Sequence, residues 1–247
     1  MIKTKKQKSP FEGMHVVFLT PTLSKCPASE FANSMRDTAV YLRELGIRHT
    51  WLSFGGWPYL DDVRNRLLTR AFDGFPDATD FFWLDDDIGW SAEDVVRVLI
   101  RPEEVVAGIY PKKEPKINFP CTMLKDADTG DFIRHEGMLA ADMVPTGFLR
   151  FKRSVVEKMK DLRPRYLSII SGQNVEVINF FRTGPLWPDR VWYGEDPAFC
   201  REWRELGGDI WVIPDIKFTH RGTNLWSATM SDHLEGFLSP AQKEAAE

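Results

Sequence analysis

The sequence is short of cysteine, of long apolar runs and of surplus positive charge, and each shortage excludes something. Only three cysteines occur, Cys26, Cys121 and Cys200, scattered and without a CxxC pair. Neither a disulfide framework nor a zinc knuckle is indicated, and a reducing, cytoplasmic compartment is expected. The longest apolar runs, such as Met14–Leu19, fall far below the roughly 20 residues that a spanning helix needs. Lys3, Lys5, Lys6 and Lys8 open the chain without an apolar stretch of signal-peptide length after them, so residues 1–13 read as a basic tail. Lys plus Arg total 32 against 36 Asp plus Glu, for a net charge of -4 and a pI of about 5.8. The overall basic footprint of a protein that coats nucleic acid is therefore missing, although a local basic patch is compatible with it. No repeat or long linker interrupts the chain.

What is present is an ordinary globular composition. At 247 residues, 43% hydrophobic and 28% charged, the chain suits one α/β domain and is not disordered. Nine tryptophans are a surplus that fills cores or lines sugar and base sites.

The first half alternates strand and helix signals. His15–Leu19, Arg48–Ser53, Asp80–Leu84 and Val105–Ile109 read as buried strands. Between them, Ser29–Leu45 carries Phe31, Met35, Thr38, Leu42 and Leu45 at helical spacing, and Asp61–Phe72 carries Val63, Leu67 and Ala71 on one face. Ser91 and Asp94 form a capping-box-like start to a helix ending at Ile100. This alternation predicts a largely parallel, doubly wound sheet over residues 14–110, in which ligands bind at the carboxyl ends of strands. Thr20-Pro21-Thr22, Ser53 and Asp85-Asp86-Asp87 all fall at such ends.

The second half, residues 111–223, reads differently. Phe119–Leu124 and Phe132–Arg134 are expected to pair as a hairpin, and Phe148–Phe151 as a strand leading into a helix from Ser154 to about Leu162. Residues 163–189 are rich enough in Pro and Gly to read as a mobile loop. Asp196-Pro197 is expected to cap and open a helix to Leu206, followed by short strands at Asp209–Ile213 and Ile216–His220. A terminal helix is expected over Asn224–Leu238, within a C-terminal segment of residues 224–247.

Three fragments carry chemistry. Asp85-Asp86-Asp87 closes the apolar run Phe81-Phe82-Trp83-Leu84; three adjacent carboxylates repel unless a cation or donors compensate, and hard oxygen ligands suit Mg²⁺ or Mn²⁺. Alternate residues at a strand end share a side, so Asp85 and Asp87 are expected to face one ligand. Glu195-Asp196 places carboxylates at a helix start, where the dipole is expected to keep Asp196 ionised. His220 ends the last predicted strand. Singly, each has a plainer reading: a solvated turn, an N-cap, a structural histidine.

Their order and context resemble a glycosyltransferase of the GT-A fold, close to short phage and bacterial family 2-like members. The similarity runs over roughly residues 14–223 and includes Val-Ala-Gly-Ile-Tyr-Pro-Lys-Lys at 106–113. The resemblance implies a Rossmann-like, mostly parallel sheet with helices on both faces and a smaller antiparallel acceptor-side region. It implies that a nucleotide sugar meets Thr20, Pro21, Thr22, Ser53, Arg64, Asn65, Asp85, Asp86 and Gly147, the last within Thr146-Gly147-Phe148. Asp85, Asp87 and His220 would hold Mn or Mg, and Asp196 would act as base, with Glu195 as the next candidate. Stereochemistry is left open.

The acceptor is left open between a hydroxymethylated pyrimidine in phage-type DNA and a saccharide, glycan or small molecule. The N-terminal lysines, Lys112, Lys113 and Lys116, and Arg150, Lys152 and Arg153 are candidates to touch phosphates; Trp57, Trp187 and Trp192 are candidates to stack on a base or sugar. Competing classes fit less well. A nucleotidyltransferase wants a Gly-rich basic loop where Thr20–Lys25 has no glycine, and a dehalogenase-type phosphatase wants DxDx[TV] after its first strand. A catalytically silent nucleotide-sugar or glycan-binding protein is expected to have lost metal or base residues that are present here.

Overall fold

A computed structural model describes residues 11–234 apart from Ser171, Trp187 and Asp189. The N-terminal lysines, Trp187 and the end of the expected terminal helix lie outside the described residues. In chain order the elements are β1 (His15–Thr22), α1 (Ser29–Glu44), β2 (Arg48–Gly55), α2 (Leu60–Gly74), β3 (Asp80–Leu84), β4 (Ile88–Gly89), α3 (Ala92–Leu99), β5 (Val105–Ala107), β6 (Thr122–Met123), β7 (Arg134–His135) and β8 (Met138–Met143). They continue as β9 (Phe148–Lys152), α4 (Arg153–Lys160), β10 (Arg165–Ile170), β11 (Gln173–Ile178), β12 (Gly184–Leu186), β13 (Val191–Tyr193), α5 (Glu195–Glu205), β14 (Trp211–Val212), β15 (Lys217–Arg221), β16 (Leu225–Thr229) and α6 (Met230–Leu234).

The class is α/β, as expected. One sheet runs β2-β1-β3-β9-β5-β14-β8-β6, with β7 also on β8. β1 is parallel to β2 and β3, and β5 to β14, while β9 lies antiparallel between β3 and β5. It follows that β2, β1, β3, β5 and β14 all point one way. Alternation along the strands sends successive side chains to opposite faces. Val17, Leu19, Phe81, Trp83, Leu149 and Phe151 pack with α2, α4 and α5; Val16, Phe18, Phe82, Leu84 and Phe148 pack with α1 and α3. Helices thus cover both faces, and the fully buried strands β1 and β3 read as continuous apolar runs for that reason.

Antiparallel β9 lies between β3 and β5 in that sheet. Three expectations are corrected. Phe119–Leu124 and Phe132–Arg134 meet only beside the turn, where Lys125 and Phe132 bridge and the Ile133 N–H donates to the Leu124 carbonyl, while β6 and β7 each pair with β8 instead of with each other. Residues 163–189 are not a structureless loop, because β10 pairs with β11 in register from Arg165↔Ile178 to Ile170↔Gln173, and β12 pairs with β13. The β10–β11 hairpin is fastened to α2, where Ser168 and Tyr166 donate to Asp62 and the Ile178 N–H donates to Thr69. Finally, Leu225–Thr229 is a strand on β15 rather than part of a helix, and among the described residues of that segment the helical ones are Met230–Leu234. Edge pairing with β15, which itself pairs with β4, outweighs the helical spacing of that segment.

Candidate functional site

The acidic triplet leaves the end of β3 and immediately divides. Asp85 accepts from Arg64 Nη2 at 3.2 Å and from the Tyr110 hydroxyl at 3.1 Å. Asp87 accepts from the Lys113 ammonium, and its Oδ1 lies 3.5 Å from His220 Nε2. Asp86 sits between them beside the Thr22 hydroxyl; burial raises its pKa, and the charges of Asp87 and Asp85 add to this. All three still line one pocket of about 330 Å³, together with Pro21, Thr22 and Trp57. The expectation that Asp85 and Asp87 face one partner is corrected to this extent: the strand ends at Leu84, and the turn that follows aims the two carboxylates at different cations.

Gly147 explains how closely Asp85 is held. Its carbonyl accepts from the Asp85 N–H at 3.0 Å, and a Cβ there would collide with the Asp85 carboxylate and the Tyr110 hydroxyl. Tyr110 is buried, and burial with the Asp85 charge pushes its pKa well up, so it remains a donor.

Arg64 joins the two ends of the site. Its side chain is 2% exposed, lies over the Trp83 ring at 5.2 Å, and reaches Glu195 Oε1 at 3.7 Å as well as Asp85. Burial opposes its charge, but Asp85, Asp196 and Glu195 outweigh that and hold it protonated. Nε and Nη1 are buried without a hydrogen-bond partner, so the guanidinium has capacity to spare.

Asp196 corrects a sequence expectation. The N-cap of α5 is Gly194, not Asp196, and Asp196 instead accepts from the Thr146 hydroxyl. Its pKa is not depressed. Burial pushes it up to about 6, with Glu195 and Asp85 adding and Arg64 and Thr146 opposing. Desolvation beats the helix dipole because the dipole acts near an exposed end, whereas this carboxylate is half-buried among other acids.

His220 comes from β15, which pairs with β4 just after the triplet. Its Nδ1 lies 2.7 Å from the Pro111 carbonyl oxygen, which only accepts, so Nδ1 carries a proton. In the neutral ring Nε2 then presents a lone pair to the Asp87 carboxylate, and two such groups face each other only with a proton or cation between them. Asp87 and His220 therefore fit a divalent ion. Asp85, committed to Arg64 and Tyr110, does not converge with them: among the described residues, the trio with ligand atoms all within 4.8 Å of one another is Glu103, His135 and Glu136, none of which lines this pocket.

The remaining expected site residues lie apart. Thr20 is buried and accepts from the Trp51 indole at 3.0 Å. Ser53, in register with Thr20, is exposed and does not line the pocket. Asn65 spends its amide on the main chain of Phe181, donating at 2.8 Å and accepting at 2.7 Å. Arg150 is fully buried and donates to the carbonyls of Val98, Arg101 and Glu103, so it does not meet a phosphate. Arg153 is bound to the carbonyls of Phe72 and Phe75, and Lys152 to that of Pro102. Tyr110 was not singled out from sequence; its signal was a polar-tipped aromatic just past the carboxyl end of a buried strand.

No protein-family model and no curated protein matches the sequence. Among solved structures, the chain is similar to A197 from STIV at 18% identity and a TM-score of 0.48, covering 85% of this chain and 86% of that one. It is also similar, at 14% identity and a TM-score of 0.34, to a glycosyltransferase involved in glycosylation of the major capsid of PBCV-1, over 60% of this chain and 64% of that one. A third similarity is to 4-diphosphocytidyl-2C-methyl-D-erythritol synthase from Anaerococcus prevotii DSM 20548, at 8% identity and a TM-score of 0.34, over 62% and 76%. Among the described residues no helix is long and apolar enough to cross a membrane.

Proposed function

We propose that this chain is a glycosyltransferase that moves a sugar from a nucleotide-sugar donor to an acceptor hydroxyl. The observation that carries the reading is the bridge made by Arg64, 3.2 Å from Asp85 and 3.7 Å from Glu195, which brings an acidic strand end and the start of α5 to one site. The donor enters the pocket beside Pro21 and Thr22, with its diphosphate toward Asp87, Lys113 and His220. Asp87 and His220 would hold Mn²⁺ or Mg²⁺, which supplies charge against the departing diphosphate. Lys113 adds a second positive charge there.

Asp196 takes the proton. As the acceptor oxygen bonds to the anomeric carbon, the bond from that carbon to the diphosphate breaks, and the acceptor proton passes to the Asp196 carboxylate. A carboxylate titrating near 6 is a stronger base than an ordinary one and is still ionised at neutral pH. Thr146 orients it, and Arg64 keeps three neighbouring acids from repelling one another out of place.

A screen of nucleoside diphosphate sugars with Mn²⁺ or Mg²⁺ tests this. Binding and slow hydrolysis of one donor, abolished by chelator and by Asp87→Ala, is the expected result. Asp196→Asn should keep donor binding while transfer falls by roughly 10²–10⁴-fold, the usual worth of a general base. Donor binding without turnover in any condition would leave a binding protein, and no donor binding at all would overturn the reading.

A further inference from the structure

A second pocket, of about 470 Å³, opens between the start of α2 and the β10–β11 hairpin. It lies within the size range of small-molecule sites, roughly 300–1,000 Å³. Trp57 lines both this pocket and the one that holds the acidic triplet, so the two meet at its ring. The second pocket takes no part in the donor chemistry described above.

Its lining has two kinds of surface. Trp57 and Tyr59 stand edge to face with ring centres 5.5 Å apart, and Tyr59 is 62% exposed. Such rings present a flat apolar face with an electron-rich surface, suited to the C–H face of a saccharide ring. Beside them are two carboxylates. Asp62 accepts from the Tyr166 and Ser168 hydroxyls at 2.6 and 2.7 Å, and Asp61 accepts from the Thr183 hydroxyl at 2.9 Å. An ionised carboxylate offers about four lone-pair sites, so each retains acceptor capacity for ligand hydroxyls. The Trp57 indole N–H is buried and unpaired, a donor at the junction of the two pockets.

The charge balance selects among ligands. The cation lining this pocket is Arg182, which shares the buried Glu202 with Arg163, and behind the lining Arg66 lies 3.7 Å from Asp62. Asp61 and Asp62 are balanced by these cations, so the lining offers a phosphodiester strand no net attraction and costs a neutral polyol nothing. Arg150, Lys152 and Arg153, one of the basic sets expected to touch phosphates, are bound to main-chain carbonyls.

We propose that this pocket binds a neutral saccharide ring and, given the transferase reading on which this last step rests, is the acceptor site. The ring stacks on Tyr59 and Trp57, its hydroxyls donate to Asp61 and Asp62, and the hydroxyl that reacts projects past Trp57 toward the donor.

The test uses the full chain without donor. Neutral mono- and disaccharides, and a short duplex containing hydroxymethylcytosine, are titrated against tryptophan fluorescence and by calorimetry at low and high salt. A nucleoside diphosphate with Mn²⁺ is titrated separately. The expected result is saturable, salt-independent binding of a neutral saccharide, weakened about tenfold in Tyr59→Ala, the worth of one aromatic contact. Asp61→Asn should weaken it similarly, while nucleoside diphosphate binding is unchanged in both variants. Failure of every saccharide to bind, saccharide binding that survives both variants, or duplex binding that falls steeply with salt would each overturn the proposal. Loss of nucleoside diphosphate binding in the parent chain would count against the transferase reading alone.

Discussion

Arg64 donates from Nη2 to Asp85 at 3.2 Å while its guanidinium is sealed between the Trp83 ring and the carboxylate of Glu195. One buried cation thus serves Asp85, Glu195 and Asp196. Removing it leaves these partly buried acids uncompensated. Arg64→Met should cost about 3–5 kcal/mol, the usual penalty for breaking a buried charge pair from one side. It should also move the Asp196 pKa further up. Denaturant midpoints check the first point and pH titration by NMR the second; an unchanged midpoint would show that solvent already screens these charges.

Asp196 makes stability depend on pH in a defined direction. Its pKa in the folded chain, about 6, lies above the ordinary value of 3.8. The folded state therefore binds the proton more tightly than the unfolded state. This contribution is fully present below the unfolded value and is lost as pH rises through about 6. Asp196→Asn removes the titration. The variant should match the parent near pH 4 and exceed it above pH 6 by about 1–3 kcal/mol, at 1.36 kcal/mol per pKa unit. Denaturation across that range is the check, and a constant offset would mean that Asp196 is not desolvated.

Gly147→Ala tests the packing of Asp85. The added methyl has no space between the Asp85 carboxylate and the Tyr110 hydroxyl, and both must shift. Overpacking of this kind costs about 1–3 kcal/mol. Donor affinity should fall more than stability alone explains, because the displaced carboxylate lines the donor pocket. Wild-type donor affinity in a destabilised Gly147→Ala chain would separate Asp85 from donor binding.

Lys113 competes with any metal at Asp87, since its ammonium occupies the carboxylate that faces His220. Lys113→Ala should therefore bind Mn²⁺ several-fold more tightly, and Asp87→Ala should lose it. Transfer in Lys113→Ala should still fall, because the leaving diphosphate loses a positive partner. Calorimetry with Mn²⁺ and a nucleoside diphosphate, alongside turnover, reads both. Weaker Mn²⁺ binding in Lys113→Ala would place the ion elsewhere.

The sequence by itself determined the α/β class and the placement of Asp85-Asp86-Asp87 at a strand end. Those features rest on local signals: apolar runs such as Phe81–Leu84, helical spacing in α1 and α2, and a cap at Ser91 that accepts from Asp94 as expected. It did not show β8, whose residues Met138–Met143 include no β-branched side chain and become a strand by pairing with β14, β6 and β7. Nor did it show β10–β11, whose order comes from hydroxyls docked on Asp62 of α2.

Only the tertiary structure decided what the acids do. Asp85 and Asp87 are two residues apart in sequence, yet one answers to Arg64 and the other to Lys113 and His220. Asp196 looks like a helix cap from its neighbours in the chain. Its raised pKa comes from burial and from Glu195 and Asp85, against the opposing charge of Arg64, and no local pattern encodes that. Desolvation and Coulomb interactions depend on distance in space, so the chain alone names the charged groups, while the fold sets their protonation and their partners.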